Sequence, residues 1–566
     1  MSEVQITFNG KKVTAQSGQT ILEAAQAAGV DIPVLCYHPD LSAWGACRMC
    51  MVEVKGMRGL QSSCTCPVAD GMEIETESEN AVEVRKFVLE LLFSERNHYC
   101  MFCQMSGNCE LQDAAYRYGL DHFMYPRPYD KLSVDASRKY FIMDHNRCIL
   151  CTRCVRACDE IAANHTLNVR ERGSESMIMA DLNVPFGEST CVECGTCLQV
   201  CPTGALIDAR SAYGGREKDV THTQTTCMQC SVGCTLDVVT RYNRLLRVDG
   251  VFGSDPNGGL LCVDGRFAPL YDERKRVNQP LVRRDGKLAA AGWDEALDLV
   301  SSKLKEGSVE GFTTGATSNE ALQAFSNLFE KAGSKAGMLE AEAPVLGFGS
   351  VGTISDIAEA DFIVVAGADP LEYQRVIGYL IHRAADRGAT VAVIAESENK
   401  LSPRADMTVS YADADKVAKA AADAEKIVLV YSVAIKGKVM AAFRPLADKL
   451  SYIALSPARN SQGAENVGLT QMKPNGATTQ LFLMGEQAED AGLLDKLNGA
   501  FTVVQASYMS PLAEKADVVL PAPLWYERTG HITNLEGKVL PLVAVLPMPE
   551  GVRDDAEVLE KLAEIL

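Results

Sequence analysis

A chain of 566 residues, 47% apolar and 23% charged, has the composition of a globular protein of three or four domains. A net charge of −19 argues against a nucleic-acid partner, and no apolar run approaches the roughly 18 residues that span a bilayer, so no membrane insertion is expected. The opening MSEVQITFNG lacks a basic region followed by an apolar core, which points to the cytoplasm. All 20 cysteines fall between Cys36 and Cys262 in close groups; in a reducing compartment such groups signify metal rather than disulfides.

In chain order, VQITF alternates as a strand, Asn9-Gly10 signals a hairpin turn, and KKVTA returns. TILEAAQAAG follows as a short helix, with Thr20 and Glu23 as a capping box and Gly29 as its end. Strand, hairpin and helix before a cysteine loop is how a β-grasp ferredoxin domain begins. The loop carries Cys36, Cys47, Cys50 and Cys64, a spread set with one CxxC that suits a [2Fe–2S] rhomb. Cys66 lies two residues beyond Cys64, and on spacing alone either could close the set.

NHYCMFCQMSGNC at 97–109 brings Cys100, Cys103 and Cys109 close together. A cubane cluster wants four ligands, and the fourth could be His98, a spare cysteine or nothing. The strongest signal comes next. Cys148, Cys151, Cys154 and Cys158 have the spacing C-x2-C-x2-C-x3-C, and Cys191, Cys194, Cys197 and Cys201 repeat it with Pro202 after. This is the run of a two-cluster [4Fe–4S] ferredoxin, in which the last cysteine of each run serves the other cluster. One centre is therefore expected from Cys148, Cys151, Cys154 and Cys201, the other from Cys191, Cys194, Cys197 and Cys158. Cys227, Cys230, Cys234 and Cys262 suit a further [4Fe–4S] cube.

From about Asn278 onward the pattern changes. DFIVVAGADP, ATVAVIAES, KIVLVYSV and FTVVQAS are buried β-branched runs between Ala-rich helical stretches, which predicts an α/β region with a mostly parallel sheet. Gly347–Gly352 fits GxGxxG, but EAEAPVL before it is a poor strand. TISDIAEADF after it reads as a helix leading into a strand at 362–366. No nucleotide is expected there.

These five groups, in this order, resemble the large iron–sulfur subunit of NADH:quinone oxidoreductase (respiratory complex I). They also resemble the iron–sulfur diaphorase chain of NAD-linked, including electron-bifurcating, [NiFe] hydrogenases and the alpha chain of NAD-linked formate dehydrogenases. SSCTCPVADGM is similar to the family stretch holding the last rhomb ligand, which selects Cys64 and leaves Cys66 as an extra. CELQDAAYRYG is similar to the family's [4Fe–4S] site held by one histidine and three cysteines. In complex I three residues separate that histidine from the first cysteine, and Arg96 stands there in this chain. Arginine cannot ligate, because its guanidinium stays protonated. In the hydrogenase branch one residue separates them, as in His98-Tyr99-Cys100, so the resemblance implies His98 as ligand.

The same resemblance implies a multidomain α+β and α/β fold. Its parts are a β-grasp [2Fe–2S] domain (1–80), a helical one-His/three-Cys segment (81–140), a dicluster ferredoxin domain (141–213), a Mo/W-bis-MGD-type [4Fe–4S] domain (220–276) and a truncated molybdopterin-oxidoreductase-like α/β domain (277–566). ADFIVVAGADP and ADVVLPAPLWYERTGHITNLEGKV carry the last of these likenesses. No molybdopterin is expected. No cysteine follows Cys262, and Asp264 stands where catalytic members place a lysine. One [2Fe–2S] and four [4Fe–4S] clusters are expected, with no catalytic residue. Hydride chemistry needs a flavin to split electron pairs, so FMN and NAD(H) are expected on a flavoprotein diaphorase partner. The other expected partners are a small [2Fe–2S] thioredoxin-like subunit and [NiFe] hydrogenase subunits, or alternatively a quinone-reducing module.

Overall fold

The computed structural model describes residues 2–122, 124–125, 132–341, 343–487, 492–497 and 499–566. It divides into two units, Met1–Thr221 and His222–Leu566.

The N-terminal unit opens with the expected hairpin. β1 (Glu3–Phe8) and β2 (Lys11–Gln16) pair antiparallel around Asn9 and Gly10. Both turn residues have positive φ, 48° and 81°, as a two-residue turn matching the strand twist requires. In α1 (Ile21–Ala27) the Thr20 hydroxyl accepts from the Glu23 N–H and the Glu23 carboxylate accepts from the Thr20 N–H, so the capping box forms. β3 (Met51–Val54), β4 (Gln61–Ser62) and β5 (Glu73–Glu75) complete a sheet of order β2-β1-β5-β3-β4. Only β1 and β5 run parallel. Ile6, Phe8, Ile21, Leu22, Val52 and Ile74 fill the core and pack around Cys50 and Cys64.

α2 (Glu79–Glu95), capped by Ser78, then carries the chain away from the sheet. Its buried Arg85 donates to the carbonyls of Met49 and Met51 and to the Tyr118 hydroxyl, tying α2 to β3 and to the end of α3 (Glu110–Arg117). Farther along, regular structure comes in short pieces. The three-stranded sheet has its central strand at Phe141–Asp144, and a hairpin joins Leu167–Arg170 to Met177–Ala180.

The C-terminal unit begins with a three-stranded sheet of Thr221–Thr226, Thr235–Arg241 and Arg244–Gly250. The α/β region behind it holds, among the described residues, two large sheets and the small hairpin of Gly530–Thr533 with Val539–Leu542, where the sequence pattern predicts one sheet. In the six-stranded sheet every pairing is parallel, and it contains Phe362–Ala366, Thr390–Ile394 and Ile427–Ser432. Phe501–Ala506 belongs instead to a seven-stranded sheet, parallel except where Leu281–Arg284 joins its neighbours. The chain leaves that sheet after Lys335–Met338, builds the other one, and returns at Thr479–Gly485. Runs of apolar residues identify buried strands but not their neighbours, so this excursion is invisible to periodicity.

The GxGxxG stretch forms no strand–turn–helix unit. Ser350–Val351 is an edge strand paired with Ser451 and Tyr452. The helix expected over TISDIAEADF is reduced to Asp356–Glu359.

Candidate iron–sulfur cluster sites

In the first site, the buried Cys50 and Cys64 approach each other through Ser62, whose hydroxyl lies 3.5 Å from both sulfurs. A thiol hydrogen bond from Cys64, followed by further donors, holds Cys50 well below the usual thiol range; Cys47 acts in the same way on Cys36. The four sulfurs thus fall into two neighbouring pairs, Cys36 with Cys47 and Cys50 with Cys64. Two pairs are what a two-iron rhomb needs, one for each iron. Cys66 lies outside them. Its thiol turns to the Pro67 carbonyl at 3.7 Å, and burial raises its pKa.

The second site is built at the end of α2. His98 packs edge-on against Phe93 with ring centroids 5.3 Å apart. Burial pushes its pKa down to about 4, so the ring is neutral, and a hydrogen bond to the Leu92 backbone occupies one nitrogen. The other, Nε2, is buried with no hydrogen-bond partner. A neutral imidazole with one nitrogen fixed on a carbonyl and the other free inside the protein is the form that binds metal. Cys100, Cys103 and Cys109 act electrostatically on one another, and Arg147 acts on both His98 and Cys100.

The CELQD motif supplies the frame. Cys109 caps α3, and the N–H groups of Leu111 and Gln112 face its sulfur. Glu110 takes both ends of the Arg153 guanidinium at 2.6 and 2.7 Å, and Gln112 accepts from the Gly107 N–H at 2.8 Å. A Cβ on Gly204 would lie 2.5 Å from Cys103 Sγ, so only glycine leaves that sulfur its place. Arg96 has a structural task, donating to the carbonyls of His145 and Ser176.

The two ferredoxin runs repeat one backbone shape. Leu150 and Thr152 have φ of 54° and 58°; Glu193 and Gly195, at the same places in the second run, have 56° and 71°. The left-handed turns bring the N–H of Leu150 to 3.4 Å from Cys148 Sγ and that of Glu193 to 3.4 Å from Cys191 Sγ. Three of these four residues carry a Cβ that disfavours this conformation, so the sulfur geometry overrides local preference. Short helices then begin, Arg153–Arg156 and Thr196–Gln199. The sulfurs sort across the runs. Cys201 acts on Cys148, Cys151 and Cys154, and Cys158 lies with Cys191, Cys194 and Cys197; Cys197 also feels Cys201 and acts on Cys154, so the two groups adjoin.

In the last site, the Gln229 N–H lies 3.5 Å from Cys227 Sγ, and Cys262 caps the helix Val263–Arg266. The TNLEG stretch clamps the cysteine loop. Leu535 N–H donates to the Ser231 carbonyl and Asn534 to that of Val232, while Thr226 donates to Pro541. Burial raises the pKa of all four thiols, Cys227, Cys230 and Cys262 to about 12. Burial of that kind keeps the thiols protonated on their own; a cationic centre would displace the protons and hold the thiolates. Among the described residues no three His, Cys, Asp or Glu side chains gather as a single metal ion would require. Donor chemistry, N–H groups aimed at sulfur and the unpartnered Nε2 all fit iron–sulfur clusters at these positions.

Cations woven through the sites are what the sequence reading missed. Arg156 donates to the carbonyls of Cys36 and Ser42, each at 2.5 Å, and Arg138 donates to that of Cys191 at 3.0 Å. Arginines inside a run, as in CTRCVRAC, were the available signal.

Comparison with known proteins matches each segment. Residues 1–79 match a 2Fe-2S iron-sulfur cluster binding domain and 85–123 the NADH-ubiquinone oxidoreductase-G iron-sulfur binding region. Residues 140–207 match the ferredoxin-like domain of NADH-quinone oxidoreductase subunit 3. Residues 220–271 match the molybdopterin oxidoreductase Fe4S4 domain, and 276–428 with 451–565 match molybdopterin oxidoreductase. NADH-quinone oxidoreductase subunit 3 of Thermus thermophilus is 30% identical, over 100% of this chain and 83% of its own length. A G-type NADH-quinone oxidoreductase subunit of Rhizobium meliloti is 31% identical over 68% of this chain; the match spans 47% of that relative, about half its length. A solved NAD+-reducing [NiFe]-hydrogenase in the H2-reduced state has a chain 35% identical over 38% of this one and 91% of its own, with a TM-score of 0.36. Matched end to end by a relative of that identity, and segment by segment by the iron–sulfur models, the chain belongs to the family of large iron–sulfur subunits of NADH-quinone oxidoreductase typified by the Thermus subunit 3.

Proposed function

We propose that this chain is the iron–sulfur electron-transfer subunit of an NAD(H)-linked complex. It relays single electrons between a flavoprotein diaphorase subunit, which holds FMN and NAD(H), and a partner redox enzyme. In this reading it carries one [2Fe–2S] cluster on Cys36, Cys47, Cys50 and Cys64 and four [4Fe–4S] clusters. The ligands of the four are His98 with Cys100, Cys103 and Cys109; Cys148, Cys151, Cys154 and Cys201; Cys191, Cys194, Cys197 and Cys158; and Cys227, Cys230, Cys234 and Cys262. The observation that carries the reading is that Cys201 acts on Cys148 and that Cys191 and Cys194 act on Cys158, which supports the crossed ligation of a dicluster electron carrier.

When bound, the clusters supply one-electron carriers with potentials set by charge, hydrogen bonds and burial. The chain's own residues provide those settings: N–H groups at Leu150, Glu193 and Gln229, and buried cations at Arg153 and Arg156. The expected domain divisions stand with this reading, as does a cytoplasmic location. No described helix is long and apolar enough to cross a membrane.

A soluble NAD-linked [NiFe] hydrogenase complex is the partner enzyme we favour, with a small [2Fe–2S] thioredoxin-like subunit beside the diaphorase. His98 supports it, one residue from Cys100, with Arg96 spent on carbonyls. The large iron–sulfur subunit of NADH:quinone oxidoreductase, feeding a quinone-reducing module, is the second reading, supported by the end-to-end match to the Thermus subunit. An NAD-linked formate dehydrogenase would need molybdenum or tungsten. Asp264 argues against it, since this carboxylate lies in the cavity at the last site and is held there by Arg375 at 3.2 Å.

Affinity purification of the tagged chain from its native cell, followed by partner identification and metal analysis, tests this. On the order of eighteen iron atoms per chain, a flavoprotein and nickel are expected. Stoichiometric molybdenum would overturn the reading, as would iron far below that figure.

A further inference from the structure

A cavity of about 350 Å³ opens beside the Cys227–Cys262 site, and three arginines line it. Two are neutralised locally. Arg274 pairs with Asp272 at 2.6 Å and Arg375 with Asp264 at 3.2 Å. Arg459 is different. It forms no ion pair or hydrogen bond through its guanidinium among the described residues, yet it lines the same cavity as the cysteines and acts on Cys227 and Cys230. The carboxylate set against it, Glu486, is buried and accepts from the Trp525 N–H. Burial raises its pKa against the opposing pull of Arg459 and Arg528, and it is the carboxylate that acts most on Arg459. A cation without a direct ion-pair partner beside a cluster favours the reduced, more negative state, and in a cavity walled by protein its field is screened less than in water.

We propose that Arg459 is a positioning charge that raises the reduction potential of the Cys227–Cys262 centre above what its four thiolates alone would give. The proposal rests on the assignment of a [4Fe–4S] cluster to those four cysteines, and the experiment separates the two. In the full-length chain with its clusters, the centre is identified by the EPR signal that disappears in Cys230→Ser, and its midpoint is found by redox titration. Arg459→Gln should shift that midpoint downward and leave the other centres where they are, while Arg459→Lys, which keeps the charge, should hold it near the wild-type value. If no signal depends on Cys230, the cluster assignment fails. If the signal is present and Arg459→Gln does not move it, or Arg459→Lys moves it as far, Arg459 does not act through its charge and the proposal is overturned. Should Arg459→Gln fail to hold the centre, Arg459→Met replaces it. Loss of the centre in both neutral variants but not in Arg459→Lys would make Arg459 an assembly residue and also overturn the proposal.

Discussion

The segment from Phe141 to Asp208 and the six-stranded sheet around Phe362–Ala366 solve the folding problem by different means. In the first, the strands and helices holding the two ferredoxin runs are three to five residues long, too short to stand alone. Arginines tied to carbonyls supply long-range order, and under the proposed ligation the clusters would add to it. In the second, Ile363, Val364 and Val365 are completely buried, and parallel strands cover one another along their length. A sulfur-held region depends on what it binds, whereas an apolar-held one carries its own stabilisation.

The largest effect should follow from stripping iron with a chelator under reducing conditions. Amide exchange across 141–208 should become fast, while Phe362–Ala366 and Ile427–Ser432 stay protected; equal loss in both would break the contrast. Next comes the buried pair of Arg528 with Asp555, which ties the C-terminal helix Asp555–Ile565 to its sheet with help from Thr317 and Gln505. Asp555→Ala strands a buried guanidinium and should cost about 3–5 kcal/mol in denaturant unfolding of the α/β region. The iron signals should survive it.

A narrower change is expected from His98→Cys. Replacing neutral imidazole by thiolate makes one centre more negative, so its potential should fall; an unchanged spectrum and potential would show that His98 is no ligand. Smallest of all is Cys66→Ser. With its sulfur turned to Pro67 rather than to the paired thiols, iron content and EPR should be unaltered.

Sequence reading reached furthest where the determining contacts are local. The Asn9-Gly10 turn and the Thr20–Glu23 box each span a few residues, and each formed as expected. It fell short where partners are remote. Asn534 reaches the cysteine loop at Val232 from 302 residues away, and Arg459 comes to the last site from a different part of the unit. No local pattern marks either. Between Cys64 and Cys66, a choice open on spacing, Cys64 is the one that shares the Ser62 hydroxyl with Cys50, which supports the proposed ligation.

The exchange of Cys158 and Cys201 bears on biogenesis. Under the proposed ligation, neither ferredoxin centre can be completed by its own loop, because each waits for a sulfur from the other. A nascent chain paused between Ala163 and Thr190 holds three ligands and a stray fourth, so neither centre can be finished until the second run has been translated. Completion of either centre would then wait on translation of both runs, and a lesion in one loop would be inherited by both centres.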